Sequence, residues 1–479
     1  MTRADARMWV SKGVFSLAVA GCVAACTPAT PPRALNGGIE TPDGWTANAA
    51  DEAQPLEEGW LETFDDSRLE ELVALAKVRN PDLRIAAARF AQADANARIS
   101  FADKLPSLTA NFTSTRLQSR FTAPNGQVGV VRQNQFSLNG EVNWELDVWG
   151  RVAAQVAAAD ADYQASAADL AAAQISLSAN IARAYFNVVA AIEQLRLSQQ
   201  TVESFDRSLR IVRSRYARGI TDALDVRLTA NSLESARALE VLRRSELDNN
   251  KRTLEILLAD YPAGQVDVAK DLPKLPPLTG LGLPADLLSR RPDVQASYLR
   301  QAAADFRVAQ AKRALLPQMT INATAGNQTE IFSDFTDFDS LVWRITGALA
   351  QPIFQGGRLK NAVKRDQAAA EEALASYTQT VLNAFEEVDS ALANDRLFVE
   401  RERFSAQAVE QAAAGARLAE QQYSRGLTAI LSLLDSQRRE LDSRSQLIDV
   451  RAARAQNRVN LFLALGGAAT KEETLEESL

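Results

Sequence analysis

With 479 residues, 46% of them hydrophobic but only 6% aromatic, the chain has a composition that favours long helices over an aromatic-packed globule. Its formal net charge of −7 argues against nucleic acid as a partner. Histidine is absent and both cysteines, Cys22 and Cys26, sit near the N-terminus, which excludes histidine triads, His or Cys metal sites and a disulfide framework, and implies no cofactor.

Arg3, Arg7 and Lys12 precede an apolar run from Gly13 to Ala25, too short to span a bilayer, so residues 1–25 read as an export signal. Two overlapping patterns, Val19-Ala-Gly-Cys22 and Val23-Ala-Ala-Cys26, resemble the bacterial lipoprotein box, in which the Cys is lipidated. Cys26 is the preferred lipidation site, because a polar, Pro-rich stretch follows it, and Cys22 is the alternative. A plain secretory signal with incidental cysteines is the bland reading. No later apolar segment approaches 18 residues, so no membrane-spanning helix is expected after cleavage. Residues 26–60 then form a lipid-anchored tether, and a helix is expected to start at Glu57–Trp60 and end near Asn80-Pro81.

From here the chain is duplicated, with residues 61–262 as a first repeat, 263–284 as an irregular linker, 285–467 as a second repeat and 468–479 as an acidic tail. Pro81-Asp82 recurs as Pro292-Asp293 and Leu105-Pro106 as Leu316-Pro317, 211 positions on, whereas Gly150-Arg151 recurs as Gly357-Arg358 at an offset of 207. The four-residue difference localises a variable loop between these landmarks. In that segment the hydrophobic period is two. Phe136, Leu138, Gly140, Val142, Trp144 and Leu146 alternate with polar residues including Glu141 and Glu145. Ser107–Thr113 and the stretches around Met319–Thr324 and Leu341–Leu349, the last with Arg344 on its polar side, behave alike. Each repeat therefore carries two strands, with long polar loops expected at Gln118–Asn134 and Gln328–Asp339. Such strands suit either a half-buried sheet or a membrane barrel with lipid outside and water inside. Four strands cannot close a barrel, so the second reading requires several chains to share one.

A helix of unusual length follows each strand pair: residues 151–218 and 358–425 contain Gly415 as their one Gly or Pro. At about 1.5 Å per residue each is a rod of roughly 100 Å. Val188, Ile192, Leu195, Val202, Phe205, Leu209, Val212 and Tyr216 keep a coiled-coil spacing, and the second rod keeps the frame with smaller residues and Tyr423. Each rod stops at a near-identical turn. Tyr216, Arg218, Gly219, Thr221 and Leu224 match Tyr423, Arg425, Gly426, Thr428 and Leu431, all 207 apart. The Gly supplies a left-handed cap, the Thr (with Asp222 in the first copy) is expected to cap the return helix, and both Tyr residues are expected to pack at the hairpin base. Return helices span Ala223–Ala259 and Ala429–Leu465.

Strands, a long heptad helix, a Tyr-x-x-Gly hairpin and a return helix, all occurring twice with Arg291-Pro-Asp293 opening the second half, resemble the TolC-type outer-membrane efflux family over roughly residues 55–467. The lipoprotein box resembles its drug-efflux (RND-system, NodT-like) branch. The resemblance implies a mainly α protein with a small β part, forming a homotrimer. Three chains would build a twelve-stranded outer-membrane β-barrel in outer-membrane lipid, continued by a periplasmic α-helical barrel. It implies a passive duct, not an enzyme, serving an inner-membrane efflux pump through a periplasmic adaptor. The hairpin tips would meet the adaptor through Gly219, Ile220, Thr221, Gly426, Leu427 and Thr428. Acidic residues six and nine positions after the hairpin Gly line the periplasmic aperture in the family; here Asp225 and Asp435 match, while Ser432 and Leu228 depart. Two acidic rings would favour cations. Asp225 also suits a helix N-terminus, and Asp435 a solvated face. Glu141, Glu145 and Arg344 would line the barrel lumen. The rivals are a type I protein-secretion duct and a secreted coiled-coil structural protein. An enzyme would need paired carboxylates in a cleft, and Asp65-Asp66, Glu70-Glu71 and Glu386-Glu387 are adjacent on the chain and point apart.

Overall fold

The computed structural model describes residues 44–45, 60–124, 126–276, 278, 284–332 and 341–467. The export signal with Cys22 and Cys26, most of the tether and the acidic tail lie outside the described residues. In chain order the elements are α1 (Ser67–Arg79), α2 (Pro81–Ala102), β1 (Ser107–Thr122), β2 (Val128–Leu146), α3 (Arg151–Ala217), α4 (Ala223–Leu257), α5 (Pro284–Arg290), α6 (Pro292–Arg313), β3 (Gln318–Thr329), β4 (Leu341–Ala350), α7 (Arg358–Ser424) and α8 (Ile430–Ala464). The described residues fall into two compact units, one containing Phe90–Ser166 and Ser297–Tyr377, the other the remaining helical segments.

The first unit holds a four-stranded antiparallel sheet in the order β1-β2-β3-β4. Register puts Leu108 and Phe112 beside Val142 and Leu138, these beside Ala323 and Asn327, and these in turn beside Ile345 and Leu341, so the period-two pattern is in phase across all four strands. The strands of the first pair are longer than expected. Gln118–Asn134 is not a loop: pairing runs on to Thr122↔Val128 around a tight turn with Gly126 at φ 80°. Backbone N–H and C=O groups gain the same partners whether side chains are polar or apolar, so a polar stretch opposite another strand continues the ladder. Below the sheet, Phe90 stacks on Tyr163 at 5.2 Å, and Arg313 donates to the Gly150 carbonyl at 2.7 Å.

The second unit is built on a cluster in which Phe64, Leu69, Ile181, Tyr185, Phe186, Val459 and Phe462 are buried. Its entry corrects the expected helix start at Glu57–Trp60. A short 3-10 turn at Glu62–Phe64 plugs Phe64 into the cluster, and the helix begins only at Ser67, where the Asp66 carboxylate accepts from the Arg68 and Leu69 amides, both at 3.1 Å. Tyr185 donates to Asp66 at 2.6 Å and accepts from the Ala269 amide at 2.9 Å, tying the segment after α4 to this entry. Burial, then the bond to Asp66, pushes the Tyr185 phenol above its ordinary pKa, so it stays a neutral donor. One 18-residue window of α3 has a mean hydropathy of 1.3, enough to cross a membrane by composition, contrary to the expectation of no such segment. It is 61% buried, which accounts for its apolarity as packing.

All four long helices end in the same hydrogen-bonded pattern. Gly219 and Ile220 donate to the Tyr216 and Arg215 carbonyls, and Gly426 and Leu427 to those of Tyr423 and Gln422. Ala259 and Asp260 donate to Ile256 and Glu255, and Gly466 and Gly467 to Leu463 and Phe462. Each is a Schellman cap with a residue at positive φ, the last with two (Gly466 and Gly467), and Ala259 (φ 59°) stands where the second repeat has Gly466 (φ 89°). The residue before each repeat's proline locks the far end of the same repeat. Asn80 Nδ2 donates to the Leu257 carbonyl at 2.8 Å, and Arg291 Nη1 to the Ala464 carbonyl at 3.0 Å. Arg291 also forks onto Asp293 and reaches Glu387 at 2.6 Å.

Two stability predictions follow from these ends. Gly466→Ala places a Cβ 3.1 Å from the Arg290 carbonyl at φ 89° and is expected to cost about 2 kcal/mol, whereas Ala259→Gly is expected to gain about 0.5 kcal/mol. Opposite shifts in the thermal midpoint of the detergent-solubilised protein check this; equal signs would refute it. Arg291→Ala leaves the Ala464 carbonyl and two carboxylates without their donor and should cost about 1–2 kcal/mol in the same measurement, the exposure of the carboxylates limiting the loss.

Candidate functional site

Two regions carry the residues singled out by the sequence, one in each unit. The first is the pair of hairpin turns in the helical unit. Gly219 (φ 73°) and Gly426 (φ 77°) reverse the chain, which leaves Ile220 and Leu427 exposed at the turns, Leu427 at 72%. Thr221 and Thr428 are half-buried. Neither threonine is the cap. Asp222 caps α4 by accepting from the Asp225 amide at 3.0 Å, and α8 has Ala429 at its N-cap, with no side-chain cap. The Thr221 hydroxyl instead donates to the Asp225 carboxylate.

The two tyrosines of the repeat part company. Tyr423 is buried with Val212, Ala419, Ile430 and Leu433, whereas Tyr216 is half exposed and does not pack as expected. Arg215 adds to this difference: its guanidinium lies 5.0 Å from the Tyr423 ring centroid and donates to the Tyr423 and Ser424 carbonyls at 3.0 and 3.4 Å. It thereby supplies a cation to the C-terminal end of α7, where the last carbonyls carry the negative end of the helix dipole. The second copy has Gln422 at the corresponding position, so Tyr216 receives no such partner. Arg215 is the residue missed from sequence; its signal was the mismatch between two otherwise matching turns.

Asp435 is placed on α8 with its two oxygens taken by Arg438 and Arg439, each at 2.7 Å. The bond from Arg439, with both positive charges, holds its carboxyl below the ordinary aspartate range. The three-and-four spacing of Asp435, Arg438 and Arg439 is a helix-face ion pattern legible in the sequence but not used there. Within these turns arginine outnumbers aspartate: Arg213, Arg215, Arg218, Arg227, Arg425, Arg438 and Arg439 stand against Asp222, Asp225 and Asp435. Asp435 is thus ion-paired, whereas the Asp225 carboxylate accepts from the Thr221 hydroxyl.

The second region is the sheet. One rung of its polar face carries Thr109, Glu141, Thr324 and Arg344 in succession, so Glu141 and Arg344 share a face and a level. Glu141 accepts from Asn143 at 3.0 Å and from Asn322 at 2.9 Å, across two strands. Glu145 lies on the same face, and its carboxylate is held by a two-pronged pair with Arg151 at 2.9 and 2.8 Å, where β2 turns into α3. It braces that junction. The opposite face is apolar and exposed, with Leu108, Phe112, Trp343, Ile345 and Leu349 uncovered. From Phe136 to Leu146 this face runs along about 33 Å of strand, or a band about 25 Å tall at the tilt usual for a barrel.

A sheet with one apolar exposed face, joined to long capped helices and made twice by one chain, has direct counterparts. The family model described as outer membrane efflux protein matches residues 72–260 and 283–467. The pyoverdine export outer membrane protein OpmQ of Pseudomonas putida is 31% identical, with 92% of this chain and 94% of that one aligned. The toluene efflux pump outer membrane protein TtgF of the same species is 30% identical over 95% of both. The solved outer-membrane channel OprN superposes with a TM-score of 0.85 at 26% identity, covering 92% of this chain and 99% of that one. With both repeats matched by the family model and the fold shared with a solved channel, the chain belongs to the outer membrane efflux protein family and is an efflux channel protein of the Gram-negative outer membrane.

Proposed function

We propose that the chain is the exit duct of a tripartite efflux system: a passive homotrimeric conduit fed by an inner-membrane pump through a periplasmic adaptor. The observation that carries this is the sheet. It has two unpaired edges, β1 and β4, and too few strands to enclose water, while its outer face is dressed for lipid. Three copies joined edge to edge give twelve strands, within the range of closed barrels. In that barrel Glu141 and Arg344 line the lumen, and Glu145 anchors the lumen wall to α3 through Arg151.

The exposed Ile220 and Leu427 are the adaptor-facing contacts, with Gly219, Thr221, Gly426 and Thr428 setting their geometry. Asp225 and Asp435 stand at the aperture, Asp225 accepting from the Thr221 hydroxyl and Asp435 paired with Arg438 and Arg439. Opening would separate Arg215 from the α7 carbonyls it now holds. The relatives' names, pyoverdine export and toluene efflux, support small-molecule cargo over secreted protein as the load. Transport through such a duct requires no bond to be made or broken by the chain. Lipidation at Cys26, with Cys22 as the alternative, would add an anchor beside the barrel.

In planar bilayers, Asp435→Ala should alter single-channel conductance and block by multivalent cations, and Arg438→Gln/Arg439→Gln should strengthen that block. Because its bond partners depress the Asp435 pKa, this carboxylate stays charged as pH falls past about 4, and its contribution should persist below that point and vanish in stronger acid. Unchanged conductance and block in both variants would remove Asp435 from the aperture. For the anchor, radiolabelled palmitate should enter Cys22→Ser and not Cys26→Ser; the reverse result moves the lipid to Cys22.

A further inference from the structure

The β1–β2 hairpin outruns its neighbours. β3 pairs with β2 only from Phe136 to Leu146, while β1 and β2 remain paired from Thr113↔Ser137 up to Thr122↔Val128. The apolar face of the sheet continues onto this projecting hairpin, but its chemistry changes abruptly. Level with Phe136 and above it, the same face carries Ser114, Arg116, Gln118 and Arg120 on β1, with Asn134 and Arg132 on β2, before Val130 and Val128 at the tip. Arg116 pairs with Asn134, Gln118 with Arg132 and Arg120 with Val130, so three guanidinium groups fall on three successive rungs. At about 3.3 Å per residue and a barrel tilt, they lie roughly 5–15 Å above the edge of the apolar band.

These arginines have no acidic counterpart on their own hairpin. From Lys104 to Gly140 the sequence contains no Asp or Glu, in a chain whose net charge is −7. Among the described residues all three are exposed and none is in an ion pair. The carboxylate at the top of β3, Glu330, accepts from Gln133 at 2.6 Å, and Gln133 belongs to the opposite face. Arg132 Nε donates to Gln118 at 2.8 Å, which orients that guanidinium along the face. Asp334, Asp337 and Asp339 in the β3–β4 connection lie outside the described residues. A planar fork of donors suits a phosphate better than a sugar hydroxyl, and its placement just beyond a lipid-facing band selects phosphate that arrives on a lipid.

We propose that Arg116, Arg120 and Arg132 form a binding surface for phosphorylated lipid headgroups of the outer leaflet, the diphosphoryl glycolipid type in particular. This rests on the outward assignment of the apolar face. Three copies would present nine such guanidinium groups around one barrel, enough to fix the channel's height and surround it with a bound lipid collar.

The test uses the purified full-length protein in detergent and native mass spectrometry, with diphosphoryl lipid A and its dephosphorylated form as probes. The wild type should retain the diphosphoryl form roughly tenfold more than the dephosphorylated one, and Arg116→Gln/Arg120→Gln/Arg132→Gln should lose that preference. Asp334→Asn/Asp337→Asn/Asp339→Asn should keep it, and inorganic phosphate should not displace the lipid. Equal retention of both lipids by the wild type overturns the proposal without recourse to any variant. Undiminished preference in the arginine variant overturns it too, as does loss of preference in the aspartate variant or displacement by inorganic phosphate. Single-channel conductance of the arginine variant should be unchanged; a changed conductance would put these residues on the water side and sink the outward assignment itself.

Discussion

Backbone hydrogen bonding decides what this chain can be. Within hydrocarbon every N–H and C=O must be paired, and a four-stranded sheet leaves one row of each unpaired along β1 and β4. The exposed apolar face places that sheet in lipid, and the open edges then require further strands. A single chain is an incomplete wall. The duplicated order of strands and helices is what allows one sequence to supply a repeating sector of a larger ring.

The same accounting governs the helical unit, where the open groups are at helix ends. Four Schellman caps close them locally, and Asn80 and Arg291 reach across each repeat to the carbonyls of Leu257 and Ala464. The two locks differ in chemistry: the Asn80 amide also accepts from the Asp82 and Leu83 amides, whereas the Arg291 guanidinium adds charge-assisted bonds to Asp293 and Glu387. Elsewhere the repeats diverge at single positions. Arg215 against Gln422 gives one turn a cation that grips the other and lies over the Tyr423 ring, which is buried in an apolar cluster while Tyr216 is half exposed.

Charge is distributed with the same economy. At the turns Asp435 is paired with Arg438 and Arg439, Asp222 caps α4, and Arg215 holds backbone carbonyls. On the sheet, charges facing the polar side are engaged across strands or at the strand–helix junction, as with Glu141 and Glu145. The arginines of the projecting hairpin stand apart from this pattern, on the lipid side and without acidic neighbours along their own hairpin.

Whatever depends on spacing along the chain was legible in the order of residues. The offsets of 211 and 207 disclosed the duplication, the change of hydrophobic period separated strand from helix, and Gly219 and Gly426 marked helix ends, because each reports a local backbone requirement. The family resemblance was legible from that order. Tertiary structure alone decided the rest. Polar residues 118–134 became ladder because another strand lay alongside, Asp222 rather than Thr221 took the cap, and Glu145 found Arg151 where β2 meets α3. Arg215 meets a carbonyl 208 positions away, and no local pattern could identify which of two matching tyrosines it would cover. Spacing fixes which way a side chain points along its own element; only the packing of elements fixes what it meets there.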